Sequence, residues 1–285
     1  MTFRSDLALE CREPLEKDQQ GLRCHEEARD GYRLTRVEVL DQAGAKRIGK
    51  PVGTYVTVEL PPLGECAEVY GPGMERVARE LRQMLPPEGS VLVAGLGNAD
   101  MTPDALGPRC CARVLATRHI AGEIAASAGL GSLRPVMCLT PGVLGRTGME
   151  SAELVAAAVR AAKPAAVIII DALAARRLSR LGCTIQLGDS GIVPGSGVGN
   201  ARKALSRATL GVPVISLGVP TVVDAATLAA DLGGDCEPPA ESAGMMVTPR
   251  EVDLLIERAA KLCAMAVNRA LQPHLRTEDF LELAG

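Results

Sequence analysis

The 285-residue chain has no tryptophan, two phenylalanines, three tyrosines and three histidines. So few rings exclude a platform on which nucleic-acid bases stack in succession. They also require a core of Ala, Val, Leu and Ile. With histidine confined to His25, His119 and His274, a multi-histidine metal centre or a histidine-driven relay is not expected. No apolar run reaches the roughly 18 residues of a membrane helix. The charged opening MTFRSDLALECREPLEKD is not a secretory signal. A net charge of −3 offers no basic surface for direct nucleic-acid or anionic-membrane binding. The nine cysteines include no CxxC pair, and Cys110-Cys111 is their only close grouping, so they read as reduced thiols, mostly buried, rather than as a zinc site.

What is present is an alternation of strands and helices. Residues 1–35 are polar and show no clear period. Leu34 to Leu60 has weak period-2 alternation and β-branched content, which predicts two or three strands, closed by Pro61-Pro62-Leu63-Gly64. Helical spacing puts Val77, Leu81 and Leu85 on one stripe of a helix over Met74–Leu85. Short strands follow in VLVAGLGN, RPVMCLTPG, AAVIIIDALA, CTIQLGDSG and VPVISLGVPT. Helices are predicted over DALGPRCCARVLATRHI, despite its Gly107-Pro108, over Ser151–Lys163 with Ser151 as N-cap, and over a long C-terminal run introduced by Thr248-Pro249 and stopped by Pro273. AVIII is apolar on both faces, as a central parallel strand is. The expectation is therefore an α/β fold: a doubly wound, mostly parallel sheet sandwiched by helices, with a small N-terminal β unit. In such sheets ligands gather at the carboxyl ends of the strands. Here GLGNADMTPDALGP, TPGVLGRTG, DALAARR, GDSGIVPGSGVGN and GVPTVVDA each follow a strand, and should line one cleft.

Several chemistries can be weighed at that cleft. Gly95-Leu96-Gly97 begins like a dinucleotide loop, but Asp100 stands where a third glycine is required, and its carboxylate would oppose a pyrophosphate. The glycines then simply make a tight turn. Gly188-Asp189-Ser190-Gly191 looks like a serine-protease tetrapeptide, yet the setting is not all-β and histidine is scarce. There is no G-x-S-x-G elbow and no phosphate-binding loop, and His25-Glu26-Glu27 lacks the second histidine of a zinc-protease helix. Carboxylates remain. Asp104 follows one strand and Asp171 ends another, at the same sheet edge. A carboxylate ending an apolar run is costly unless it is hydrogen-bonded, paired or working. Two close carboxylates can share a proton, one acting as base on a water and the other as acid. Asp104 as a helix cap and Asp171 as a turn cap is the equally open structural reading.

Long stretches of the chain resemble one family. VLVAGLGNADMTPDALGP, TPGVLGRTGMES, VIIIDALAARR, GDSGIVPGSGVGNARKAL, LGVPVISLGVPTVVDA and MVTPREVD, with KRIGKPVGTYVTVEL and FRSDLALE, are similar to the germination proteases of spore-forming bacteria. That resemblance implies an atypical aspartic endopeptidase that degrades small acid-soluble spore proteins as germination begins. It implies a fold similar to hydrogenase maturation proteases, a self-processing zymogen, a homotetramer and a place in the cytoplasm of the forespore and spore core. No cofactor or metal is implied. The family's aspartates, in TPDALGP and IDALA, fall on Asp104 and Asp171.

The resemblance also gives the N-terminus a role. Family sites run acidic, hydrophobic, Ala-x-Glu, and Asp6-Leu7-Ala8-Leu9-Glu10 fits. Cleavage is expected between Asp6 and Leu7, making residues 1–6 a propeptide and 7–285 a single peptidase domain. An acidic substrate should meet basic or polar groups, so Arg202 and Lys203, with Asn98 and Ser196, are the candidate substrate-binding residues; Arg146, Arg176 and Arg177 also lie in strand-end loops. Departures from the family pattern are Ala99-Asp100 after GLGN, Val193 before PGSG, Arg146 at a usually apolar position, and a shortened segment near residues 233–244. Asp100 could add a third carboxylate that raises the catalytic pKa or favours a metal. The alternatives carried forward are a metal-assisted maturation-type protease using the same carboxylates and a catalytically inactive binding module.

Overall fold

The computed structural model describes residues 5–13, 20–29, 32–65, 68–120, 130–233, 242 and 244–283. A short helix α1 (Ala8–Arg12) leads into strands β1 (Leu22–Arg29) and β2 (Tyr32–Val39), helix α2 (Gln42–Ile48) and β3 (Gly53–Glu59). Then come α3 (Pro72–Met84), β4 (Val91–Gly95), α4 (Leu106–Cys111), β5 (Val136–Leu139), α5 (Leu144–Thr147) and α6 (Ser151–Ala162). The remainder is β6 (Ala166–Ala175), β7 (Thr184–Gly188), α7 (Arg207–Leu210), β8 (Val214–Asp224), α8 (Ala225–Gly233), β9 (Met246–Val247), α9 (Val252–Leu271) and α10 (Thr277–Leu283).

All described strands join one sheet in the order β1-β2-β3-β7-β8-β6-β4-β5, with β9 added to β8. The pairs β5–β4, β4–β6 and β6–β8 are parallel, so the parallel arrangement expected from the sequence holds for these four strands. Beyond them the sheet is antiparallel: β7 on β8, β3 on β7, and the β1–β2–β3 meander. The N-terminal β unit is thus continuous with the central sheet through Tyr55–Gly188 to Glu59–Thr184.

Helices cover both faces. On one, Val77 and Leu81 of α3 and Ile256, Ala260 and Val267 of α9 pack on Ile168, Ile170, Ile185 and Leu217. On the other, Val155 and Val159 of α6 pack on Val167, Ile169 and Val214. β6 is buried along its length save for half-buried Ala172, the signature of a central strand. Each fully buried Ile or Leu contributes about 1.5–3 kcal/mol, so aliphatic side chains suffice without aromatics.

Three expectations change. The helix predicted from Asp104 toward Ile120 is only α4, six residues long. Downstream its backbone is served by α9: Asn268 donates to Arg113 O (3.2 Å) and accepts from Leu115 N (2.9 Å), so the chain can leave helical geometry without orphaning polar groups. α6 is capped by Glu150, whose N–H donates to Glu153 Oε2 at 3.3 Å; Ser151 instead donates from Oγ to Gly142 O at 2.8 Å. Finally, the polar N-terminal stretch holds β1, an edge strand whose charged residues obscure any alternation.

Candidate active site

The site begins where β4 ends. Gly97 has φ +110°, and a Cβ there would stand 2.0 Å from Asp104 O, so only glycine lets the chain turn this closely under the Asp104 turn. Gly107, opening α4, lies against Leu96 O and Ile170 O, which a Cβ would meet at 2.3 and 2.6 Å. These glycines shape a tight strand-to-turn corner. The 3₁₀ turn Thr102–Asp104 is tied down from β8 by Thr221 Oγ1, which donates to Pro103 O at 2.8 Å. Asp104 is half-buried, and its Oδ2 accepts from Asn98 N at 2.7 Å.

Asp171 sits two strands' breadth into the sheet, on β6 between β4 and β8, and is 6% exposed. Its Oδ1 accepts from Ala172 N at 2.9 Å. Burial pushes its carboxyl well above the ordinary carboxylate range, and the charges of Asp104 and Asp6 push it further. Burial also raises Asp104, against the Asn98 hydrogen bond. Asp6, Asn98, Asp104 and Asp171 line one cleft of about 530 Å³, with Arg202 at its side.

The N-terminal segment reaches this cleft at Asp6. Asp6 N donates to Ala174 O (2.8 Å); its carboxylate accepts from Ala174 N (2.9 Å) and from Ser196 Oγ (2.8 Å). A Cβ at Gly197 would stand 2.2 Å from Asp6 Oδ2, so that glycine makes room for the acid. Leu7 is fully buried against Leu173, Ala175, Leu181 and Val223. Glu10, also fully buried, accepts from the backbone N–H of Arg176 (2.6 Å) and Arg177 (2.9 Å).

The other sequence-derived candidates fall as follows. Ser196 touches Asp6, and Asn98 holds Asp104 through its backbone. Arg202 lines the cleft and lies 3.7 Å from Glu150. Lys203 points away, pairing with Glu153 on α6 at 3.0 Å in a separate shallow groove. Arg176 and Arg177 serve the segment through their amides, while their side chains pair with Asp231 and Glu13. Asp100 is exposed and paired with Arg146, so two of the departures from the family pattern neutralise each other, outside the cleft lining. Among the described residues no cluster of three or more His, Cys, Asp or Glu side chains could hold a metal.

Seven cysteines are described, all as free thiols; Cys66 and Cys236 lie outside the described residues. Cys110, Cys111 and Cys263 are buried, and burial raises their pKa, that of Cys111 to about 12. They are packing groups, not nucleophiles. One contributor carried no sequence signal: Gln186, a polar residue in a short strand whose amide meets the N-terminal segment on both sides of Leu7.

The α/β sheet thus brings two carboxylates, both raised by burial, to its parallel strand ends, with a peptide segment beside them. Comparison with known proteins gives the particular family. The sequence profile described as germination protease matches residues 5–233. The chain is 41% identical to the germination protease of Caldanaerobacter subterraneus subsp. tengcongensis over 99% of its own length and 98% of the relative's. It is 38% identical to that of Clostridium acetobutylicum, covering 98% of both chains. With the enzyme of a Geobacillus species identity is 43% over 81% of this chain and 66% of that one. The chain belongs to the germination protease family, peptidases of family A25. A hydrogenase maturation protease from Thermococcus kodakarensis superposes with a TM-score of 0.37 at 18% identity, covering 66% of this chain and 98% of that one.

Proposed function

We propose that this germination protease hydrolyses small acid-soluble spore proteins at acidic-hydrophobic bonds, and that Asp104 and Asp171 are its general base and general acid. The observation that carries the reading is the seat of Asp6-Leu7: an acidic side chain held by Ser196 and Ala174, then a leucine in an apolar pocket, beside both carboxylates. Asp104, the less buried and hydrogen-bonded by Asn98 N, ionises first and takes a proton from water. Asp171, held protonated by its burial and by its acidic neighbours, supplies the proton that the leaving amine needs.

The N-terminal segment then occupies the seat a substrate takes, which makes the uncut chain a zymogen blocked in cis. Cleavage between Asp6 and Leu7 would remove residues 1–6 and leave 7–285 as the working domain. Ser196 is the first candidate for reading the acid, Asn98 holds the base, and Arg202 borders the cleft for neighbouring acidic groups. On the family resemblance we assign a homotetramer in the cytoplasm of the forespore and spore core, without direct nucleic-acid contact. Among the described residues no helix is long and apolar enough to cross a membrane. Light scattering should give about four times the 29.7 kDa chain mass; a monomer would contradict the tetramer.

The test of the main reading is to incubate the protein with a small acid-soluble spore protein, with and without chelator, and map every new terminus by mass spectrometry. Cuts after Asp or Glu before a hydrophobic residue, indifferent to chelator, are expected, together with a new N-terminus at Leu7. Cuts at unrelated bonds would overturn the assignment. Activity lost on chelation and restored by one metal would transfer it to a metal-assisted mechanism, and no cleavage at all would support a binding module.

A further inference from the structure

Across β6, β8 and β7 the register aligns Asp171 with Gly218 and Gly218 with Gln186. The neighbours of each polar residue, Ile170 on β6 and Ile185 and Leu187 on β7, join the core on one face of the sheet. Side chains alternate along a strand, so Asp171 and Gln186 both rise from the other face. They stand on either side of Gly218, over which the Leu173 side chain lies: a Cβ there would meet Leu173 Cγ at 2.5 Å. At 4.7–4.9 Å per strand the two rows lie roughly 10 Å apart, with Leu173, on which Leu7 packs, between them.

The Asp6–Leu7 peptide lies in that region. Gln186 Nε2 donates to Asp6 O at 3.0 Å, and Gln186 Oε1 accepts from Ala8 N at 2.7 Å. The two partners fix the amide's orientation, because a backbone N–H only donates and a carbonyl only accepts. Asp6 and Leu173 are the residues common to two cavities: the cleft lined by Asp104 and Asp171, and a second of about 700 Å³ lined by Gln186. The acid pair and the Gln186 amide therefore face Asp6 from two different cavities.

We propose that Gln186 is a catalytic residue, the electrophilic donor that carries the oxyanion of the scissile carbonyl. The inference rests on the reading above, in which Asp6–Leu7 is the bond cut and substrates take the same seat. The water oxygen bonds to the Asp6 carbonyl carbon while its proton passes to the ionised carboxylate of the pair. The carbonyl π electrons move to oxygen, and the resulting O⁻ is held by Gln186 Nε2–H. As the electrons return, the C–N bond breaks and Leu7 nitrogen takes a proton from the protonated carboxyl. The products are the Asp6 carboxylic acid and the Leu7 amine. Gln186 Oε1 meanwhile grips the N–H beyond the scissile bond, as a neighbouring strand would, so the donor is positioned before charge develops.

The test uses the full chain as wild type, Gln186→Met and Gln186→Glu. Methionine keeps the volume and removes both the donor to Asp6 O and the acceptor for Ala8 N–H. Glutamate keeps the acceptor for the downstream N–H and, when ionised, removes the donor. Each is assayed for release of residues 1–6 and for kcat and KM on a peptide carrying Ser5–Glu13, with thermal unfolding to verify the fold. Loss of one oxyanion donor should lower kcat of Gln186→Met about 10²–10³-fold with KM within a few-fold. The kcat ratio of Gln186→Glu to wild type should rise as pH falls, because a neutral carboxyl can donate again. Folded variants with wild-type kcat, or with only KM raised, would overturn the proposal and leave Gln186 a clamp. If either variant unfolds, the other carries the test. A wild-type enzyme that cuts the peptide elsewhere overturns the reading of the scissile bond first, and this inference with it.

Discussion

Asp171 stands where a run of three isoleucines gives out, and its burial sets a pH dependence for stability as well as for chemistry. Its folded pKa lies above the unfolded one, so its favourable contribution is complete below the ordinary carboxylate range of about 4 and is lost as pH rises through the folded value. Asp171→Asn removes the cost of ionising there. The variant should melt higher than wild type at neutral pH, and the difference should shrink as pH is lowered toward 4; equal melting temperatures at every pH would contradict the account. Lys203 and Ser196 separate charge from contact. Lys203 is tied to Glu153, so Lys203→Glu should leave KM for acidic-site peptides unchanged. Ser196→Ala, which removes a donor to the acid, should raise KM several-fold, about 1 kcal/mol. The reverse ranking in a kinetic assay would show that long-range charge selects the substrate. That Asp104 and Asp171 reach one cleft was legible in the sequence, because both follow strands at the same sheet edge. Gln186 was not, because a polar residue in a strand is the ordinary solvated case until the fold encloses it.

At the scale of elements, the corner from β4 to α4 places Asp104, the proposed base. Gly97 combines a positive φ with 2.0 Å of clearance to Asp104 O for any added Cβ. Gly97→Ala should therefore destabilise by more than about 1 kcal/mol and lower cleavage even at temperatures where the protein stays folded. Denaturant melts paired with initial rates check this; an alanine variant of wild-type stability and rate would show that the corner tolerates a shifted Asp104. The period-2 and period-3.6 patterns made most strands and helices legible. The α4 helix was overextended because its helical pattern continues to residue 120, whereas Asn268, more than 150 positions later, satisfies the backbone there by another route. β1 was missed because an edge strand carries charge on both faces.

At the scale of the molecule, one sheet connects the N-terminal meander to the strand ends that hold the acids, and the N-terminal segment crosses that junction. Leu7, Ala8 and Glu10 fix the segment to the sheet, so the proposed release of residues 1–6 would take place at the cleft itself. The parallel half of this architecture was legible from strands alternating with helices. The antiparallel joining of β3 to β7 was not, since residues more than 120 positions apart pair without any local signal. The aliphatic core now has a structural context: α3 and α9 lie on one face of a long sheet and α6 on the other, in layers that Ala, Val, Ile and Leu fill.

The central claim is that Asp104 and Asp171 act together on the scissile peptide. The direct measurement is kcat on an acidic-site peptide for wild type, Asp104→Asn, Asp171→Asn and the double variant, each verified as folded. The account predicts that either single change lowers kcat by at least about 10³-fold and that the double variant loses little more, as for residues working as one unit. Near-wild-type turnover in either single variant would contradict it.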